Sequence, residues 1–352
     1  MARPDTQTRL AVELLRKRLQ HGDHAVRFPG ERQLALELGL SRPTVRKALR
    51  QLAGEGLLRR GPTGRLKASG AGDSGGRRPM VAFLHAGRIG GESALWRDGV
   101  YAAAEARGAV VRSLGYAHYG DPVISAAIDG FDGVFLLPLT EEKIPAPLLR
   151  RMTAATARIV VLDQDETAIG LRSVIVFPFA SGDKLLGHLR SLGHRRIDCL
   201  NVHSPNPVIA ARIAGWRDFV ARHGLGGELI DAPGDHSLQS AYELFSRRLK
   251  SRRPVASALY GITVHAAIGA MRALHERGLR IGRDVSVCAV NDQELGPYLV
   301  PSLTSLRTPP RDRYVRKAVD WMLRRVEWKK PSLVQPRDAP LFVGESTGPA
   351  PK

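Results

Sequence analysis

A chain of 352 residues has room for more than one hydrophobic core, and a formal charge of +19 with a pI of about 10.7 favours a polyanionic partner. Residues 1–70 carry fifteen Lys and Arg against six Asp and Glu, so nearly half of the excess lies in one fifth of the sequence. Two cysteines, Cys199 and Cys288, each inside an apolar run, exclude a disulfide scaffold, and no apolar run approaches the roughly 18 residues of a membrane span.

In chain order, the segment Thr8–Gln20 reads as a helix with Ala11, Leu14 and Leu15 on its apolar face. A short helix over Gly30–Leu38 is ended by Gly39, and Leu40 leads into Ser41, a good N-cap with Pro43 in the first turn behind it. Val45, Ala48, Leu49 and Leu52 follow at i, i+3, i+4, i+7 and form one apolar face, while Arg42, Arg46 and Arg50 step along another with Thr44 and Lys47 beside them. Helix, short turn and basic helix make a helix-turn-helix whose second helix suits a major groove. The segments 56–60 and 65–67, joined through Gly61-Pro62-Thr63-Gly64, read as a two-stranded wing with arginines on both limbs.

Phe28-Pro29-Gly30-Glu31-Arg32-Gln33-Leu34-Ala35, then Ser41-Arg42-Pro43-Thr44-Val45-Arg46, then Leu52-Ala53-Gly54-Glu55-Gly56-Leu57 closely resemble the winged-helix head of GntR-type bacterial transcription regulators. The resemblance implies DNA contacts by Arg32, Ser41, Arg42, Thr44, Arg46 and Lys47, with Gly64 and Arg65 of the wing adding more. The wing departs from the usual Gly-x-Gly-Thr form. A DNA-binding domain is expected over residues 1–69 and a flexible Gly/Ser-rich linker over 70–79.

From Met80, short apolar strands alternate with amphipathic helices. Strands are predicted at 80–84, 110–114, 133–137, 158–162, 173–177, 197–202, 228–231, 256–261 and 285–290. Helices such as 94–107, 181–192, 209–223, 237–250 and 264–277 lie between them. The alternation predicts an α/β fold with two parallel sheets and a ligand cleft at their carboxyl ends.

Leu189-Arg190-Ser191-Leu192-Gly193-His194-Arg195-Arg196-Ile197, Arg212-Ile213-Ala214-Gly215-Trp216, the run Gly278–Val287 and Pro301-Ser302-Leu303-Thr304-Ser305-Leu306 resemble the effector domain of the lactose-repressor (LacI/GalR) family. The combination is similar to GntR-headed regulators of the arabinose-repressor kind. It implies a two-subdomain sensor of the type I periplasmic-binding-protein fold over 80–349 that binds a sugar-like effector and forms a homodimer on a palindromic operator. Carried across residue by residue, Arg212 falls on the family's ligand arginine and Asp163 on a cleft acid. Asn291 and Asp292 fall on its paired acids, Thr263 on the first position of an Asn-Asp pair, and His236 near a cleft aromatic. His85 and Trp96 lie at and beyond the mouth of the first strand. Plainer readings remain open at this stage: Asp163 as a loop cap, Trp96 as a core side chain, and His85, His203 and His236 as surface or hydrogen-bonded histidines.

Catalytic readings find little support. Gly87-Arg88-Ile89-Gly90-Gly91-Glu92 lacks dinucleotide-loop spacing, and there is no phosphate-binding loop, no nucleophile elbow and no zinc-spaced His/Cys cluster. The expectation is a cytoplasmic, effector-gated regulator of carbohydrate genes, most plausibly a repressor, with neither cofactor nor metal and not an enzyme. The alternative keeps the DNA-binding head and gives the sensor-like domain only a dimerisation or docking role.

Overall fold

The computed structural model describes residues 8, 11–12, 15, 30–55, 57–60, 66–68, 78–87, 91–139, 142–204, 206–234, 237–251, 253–307, 310–330 and 332–352. The chain divides into two compact units at Pro79/Met80.

In the first unit, α1 (Glu31–Leu38) and α2 (Arg42–Gly54) flank the predicted turn. Gly39 at φ 63° closes α1 in the left-handed conformation, which costs glycine least. The Ser41 hydroxyl accepts from the Thr44 N–H at 3.3 Å and so caps α2. Val45, Ala48, Leu49 and Leu52 are buried with Leu34, Ala11, Val12 and Leu15 in one small core. β1 (Leu58–Arg60) pairs antiparallel with β2 (Leu66–Ala68), Arg59 opposite Lys67. The turn between them lies outside the described residues, as does Leu14.

The second unit holds two six-stranded sheets. The first lobe contains β3 (Met80–Ala86), β4 (Val110–Tyr116), β5 (Gly133–Leu136), β6 (Arg158–Leu162), β7 (Arg172–Val174) and a later β13 (Leu333–Val334), in the order β13-β7-β6-β5-β3-β4. The second contains β8 (Ile197–His203), β9 (Leu229–Gly234), β10 (Ala258–Gly261), β11 (Ser286–Ala289), β12 (Thr304–Leu306) and β14 (Leu341–Phe342), in the order β14-β12-β11-β10-β8-β9. All pairings are parallel except β12 with β14. The helices are α3 (Gly91–Glu105), α4 (Pro122–Gly130), α5 (Ala146–Ala154), α6 (Gly182–Ser191), α7 (Pro207–Arg222), α8 (Leu238–Lys250), α9 (Val264–Glu276) and α10 (Arg311–Met322). The predicted strand at 173–177 is shorter and one residue earlier, because the backbone leaves the sheet after Val174 to cross to the second lobe.

The chain crosses between lobes three times: after β7, before α10 and between β13 and β14. Three short strands (β12, β13, β14) and α10 therefore complete both lobes from the C-terminal end. α10 packs on α3 so closely that a Cβ at Gly99 would lie 2.7 Å from the Arg311 Cβ. An apolar cluster runs from Phe83, Trp96 and Val100 in the first lobe to Leu185, Trp216 and Cys288 in the second, tying both into one body. Cys199 and Cys288 are buried thiols.

Candidate functional site

On the head, Arg32, Ser41, Arg42, Arg46 and Lys47 are exposed and Thr44 is half-buried. The Thr44 and Ser41 hydroxyls lie 2.7 Å apart. Arg46 does not stand alone: its guanidinium pairs with Glu31 on α1 at 2.8 Å. The Arg46 hydrogen bond holds the Glu31 carboxyl below its usual range against desolvation, with further help from the charges of Arg46, Arg42 and Arg50. The exposed pair bridges the two helices, and a phosphate or base edge would have to recruit Arg46 from Glu31. Gly64 and Arg65 lie outside the described residues.

In the second unit, the carboxyl ends of both sheets face a cleft of about 410 Å³. From the first lobe it is lined by Ala86 at the end of β3, Leu137 and Pro138 after β5, Asp163 and Gln164 after β6, and Gly91, Glu92 and Ser93 at the start of α3. From the second lobe come His203 at the end of β8, Asn206 after it, Arg212 on the second turn of α7, Thr263 to His265 after β10, and Asn291 and Gln293 after β11. Parallel strands deliver polar loop residues to this edge because every crossover helix returns the chain to the opposite one.

Asp163 sits at φ 62°, held by its N–H to the Val174 carbonyl at 2.9 Å. Burial against the cleft floor pushes its carboxyl up to about 7, the Glu92 charge adds to this, and Arg212 and Arg311 oppose it. Arg212 donates to the Ile262 carbonyl at 2.9 Å, which anchors one arm of its fork at the cleft wall. Thr263 caps α9 and meets His203 Nε2 at 3.1 Å. Asn291 Oδ1 accepts from the Gln293 N–H at 2.9 Å, while its Nδ2 donates to Glu92 Oε2 at 2.6 Å. The other Glu92 oxygen accepts from Arg311 at 2.5 Å, so Glu92 joins the first lobe to the loop after β11.

Three of the expected effector residues do not line this cleft. His85 is buried, donates from Nδ1 to the Ala86 carbonyl at 2.9 Å and stacks on Phe83 at 5.6 Å. Trp96 is buried in the α3 core beneath Arg311, whose guanidinium lies 5.5 Å from its ring. Asp292 turns inward and accepts from the Glu294 N–H at 2.9 Å and the Ser305 hydroxyl at 2.7 Å. In each case an internal partner or an apolar face claims the side chain. His236 lies outside the described residues. Asp163, Arg212, Thr263 and Asn291 are brought together. The sequence reading missed Glu92, Gln164, Asn206, His265 and Gln293 as lining residues. Asn206-Pro207 was the readable signal, an N-cap followed by a first-turn proline directly after an apolar strand.

Among the described residues no group of three or more His, Cys, Asp or Glu is placed to hold a metal ion. No helix among them is long and apolar enough to cross a membrane.

Residues 6–65 match the model of bacterial regulatory proteins of the gntR family, and residues 186–347 match that of the periplasmic binding protein-like domain. The HTH-type transcriptional regulator AscG of Escherichia coli (strain K12) is 36% identical over 35% of this chain and 37% of its own length. The match thus spans well under half of that relative. A LacI family transcriptional regulator from Arthrobacter sp. FB24, solved in complex with lactose, superposes with a TM-score of 0.65 at 18% identity, covering 77% of this chain and 99% of that one. The lac repressor dimer bound to operator and the anti-inducer ONPF gives a TM-score of 0.65 at 21% identity over 78% of this chain and 96% of that one. At such identities the structural likeness establishes the fold. The gntR model describes bacterial regulatory proteins, and AscG is a transcriptional regulator. Residues 6–65 are therefore similar to the gntR family and residues 186–347 to the periplasmic binding protein-like domain, and the second unit shares the fold of the LacI family regulators.

Proposed function

We propose that this protein is a DNA-binding transcriptional regulator, a repressor of carbohydrate genes, gated by a small polyhydroxylated effector in the cleft. The observation that carries the reading is the convergence of Asp163, Arg212, Thr263, Asn291 and Glu92 on one cavity between two lobes, in a chain whose other unit presents an exposed basic recognition helix. Carboxylates accept from sugar hydroxyls, and the guanidinium, amide and hydroxyl groups donate to them. Arg32, Arg42, Thr44, Arg46 and Lys47 read the operator, with Gly64 and Arg65 supporting from the wing. Two subunits, paired through the effector domain, place two heads on half-sites about 34–36 Å apart or a multiple of that. The effector shifts DNA affinity only to the extent that it prefers one lobe arrangement over the other.

The test is a thermal screen of the full chain against monosaccharides and their derivatives. A ligand present at one hundred times its Kd stabilises the folded domain by about 2.7 kcal/mol, a readily measured shift. Arg212→Ala removes the shift and leaves DNA affinity without ligand nearly intact. An Arg212→Ala protein that still responds fully refutes the cleft assignment. If no sugar shifts the wild type, the domain serves dimerisation or docking instead.

A further inference from the structure

The end of the first lobe opposite the cleft gathers cations around two tryptophans. β3, β5, β6 and β7 begin there, at Met80, Gly133, Arg158 and Arg172. α10 runs toward it from Arg311, beside Glu92 at the cleft, to Met322, which packs over Gly133. The segment Arg311–Lys330 carries eight Lys and Arg against three Asp and Glu, which accounts for much of the positive excess outside the head. The Arg172 guanidinium lies 4.2 Å from the Trp321 ring centre and 5.8 Å from that of Trp328. Arg158 lies 5.1 Å from Trp321, and Lys317 lies 5.2 Å from Trp328.

These cations have been given rings and carbonyls rather than carboxylates. Arg172 donates to the Trp328 carbonyl at 3.0 Å, and Arg158 to the Trp321 carbonyl. Arg172 Nε is buried with no hydrogen-bond partner. Nearby acids are shared with other groups: Asp320 pairs with Arg107, Asp129 with Arg151 and Asp132 with the Met80 N–H, while Glu327 pairs with Lys329 at 3.6 Å and reaches Arg158 only by its charge. Burial, then the neighbouring charge of Arg324, lowers the Arg158 guanidinium from its usual range against a smaller opposing effect of Glu327, and burial with the Arg158 charge does the same for Arg172. Like charges crowded without an anion are stabilised by one that arrives from outside. Lys317 and Arg324 present exposed side chains at this end. The chain also enters this domain here, at Met80.

We propose that this Trp321/Trp328-flanked basic end, with Arg158, Arg172, Lys317 and Arg324, is a second nucleic-acid contact that grips duplex DNA phosphates without reading sequence. Only the identity of the polyanion rests on the DNA-binding reading of the head. A fork or ammonium steadied over an indole and left without a carboxylate meets phosphodiester oxygens at little ordering cost.

The experiment measures full-chain binding to a mixed-sequence 60-base-pair duplex as salt is raised from 50 to 200 mM. Each phosphate contact contributes about 0.9 to the slope of log K against log salt, so Lys317→Gln with Arg324→Gln lowers the slope by about 1.8. Over that range the wild type then loses roughly twelvefold more affinity than the variant. The single variants each lower the slope by about 0.9 and stand in should the double variant fold poorly. A control of equal charge change on the second lobe, Arg277→Gln with Arg283→Gln, keeps the wild-type slope. Coincident slopes for patch variant and wild type overturn the proposal and leave this end as a docking face for an acidic protein or a solvated surface. Failure of the head is distinguishable, because recognition-helix variants then bind the duplex as the wild type does.

Discussion

Replacing Glu92 by Ala removes the carboxylate partner of Arg311 and the acceptor for Asn291 in one step. Arg311 is 5% exposed, its stem lies against Gly99, its guanidinium rests over Trp96, and its Nε has no hydrogen-bond partner. Stripping one member from a fully buried ion pair costs about 3–5 kcal/mol. The Glu92 side chain is 23% exposed at the cleft, which lets water reach the vacated site, so the cost falls to about 2–4 kcal/mol. For a domain of this size that is a fall in Tm of about 4–8 °C. Arg311→Met leaves Glu92 hydrated and bonded to Asn291, and it costs less. In the double variant no buried charge is left unpaired, so the two losses fall short of their sum by about 1–3 kcal/mol. Calorimetric unfolding of the four proteins completes the cycle. A Glu92→Ala protein that melts within about 1 °C of the wild type, or losses additive to within about 0.5 kcal/mol, would refute the reasoning that this pair locks α10 to the cleft.

Arg42→Ala and Arg46→Ala each weaken operator binding roughly five- to a hundredfold and relax base preference, read by mobility shift on operator and scrambled DNA; unchanged affinity contradicts the recognition-helix assignment. Asp163 has a folded pKa of about 7, raised above the roughly 3.9 of an unfolded carboxyl. Its contribution to stability is present below that unfolded value and is lost as pH rises through 7, so Asp163→Asn gains on the wild type between pH 4 and 7 and then levels off. A difference in melting temperature that stays flat over this range rules the raised pKa out. Sedimentation of the full chain gives a dimer at micromolar concentration, and a monomer there contradicts pairing through the effector domain.

The head was legible in the sequence because its signals are local: the Ser41 cap, the left-handed Gly39 and the i, i+3, i+4 spacing act within a few residues of where they are written. The strand-helix alternation after Met80 was legible for the same reason, since each apolar run or amphipathic face is continuous in the chain. The core reading of Trp96, left open beside the cleft reading, is the one its helical spacing with Val100, Ala103 and Ala104 favours. What the sequence could not disclose are arrangements made by distant segments. Strands β12 to β14 are two or three residues long, too short for a period, and exist only because the chain crosses between lobes there. Glu92 meets Asn291 across 199 positions, and Arg311 reaches Glu92 across 219. Asp292 turns inward while its neighbour Asn291 faces the cleft, a choice made by Ser305 on the adjoining strand and the left-handed turn at Gln293 and Glu294. Local propensity and period determined the elements, while the membership of the cleft was decided by which side chains found partners once both lobes had closed around it.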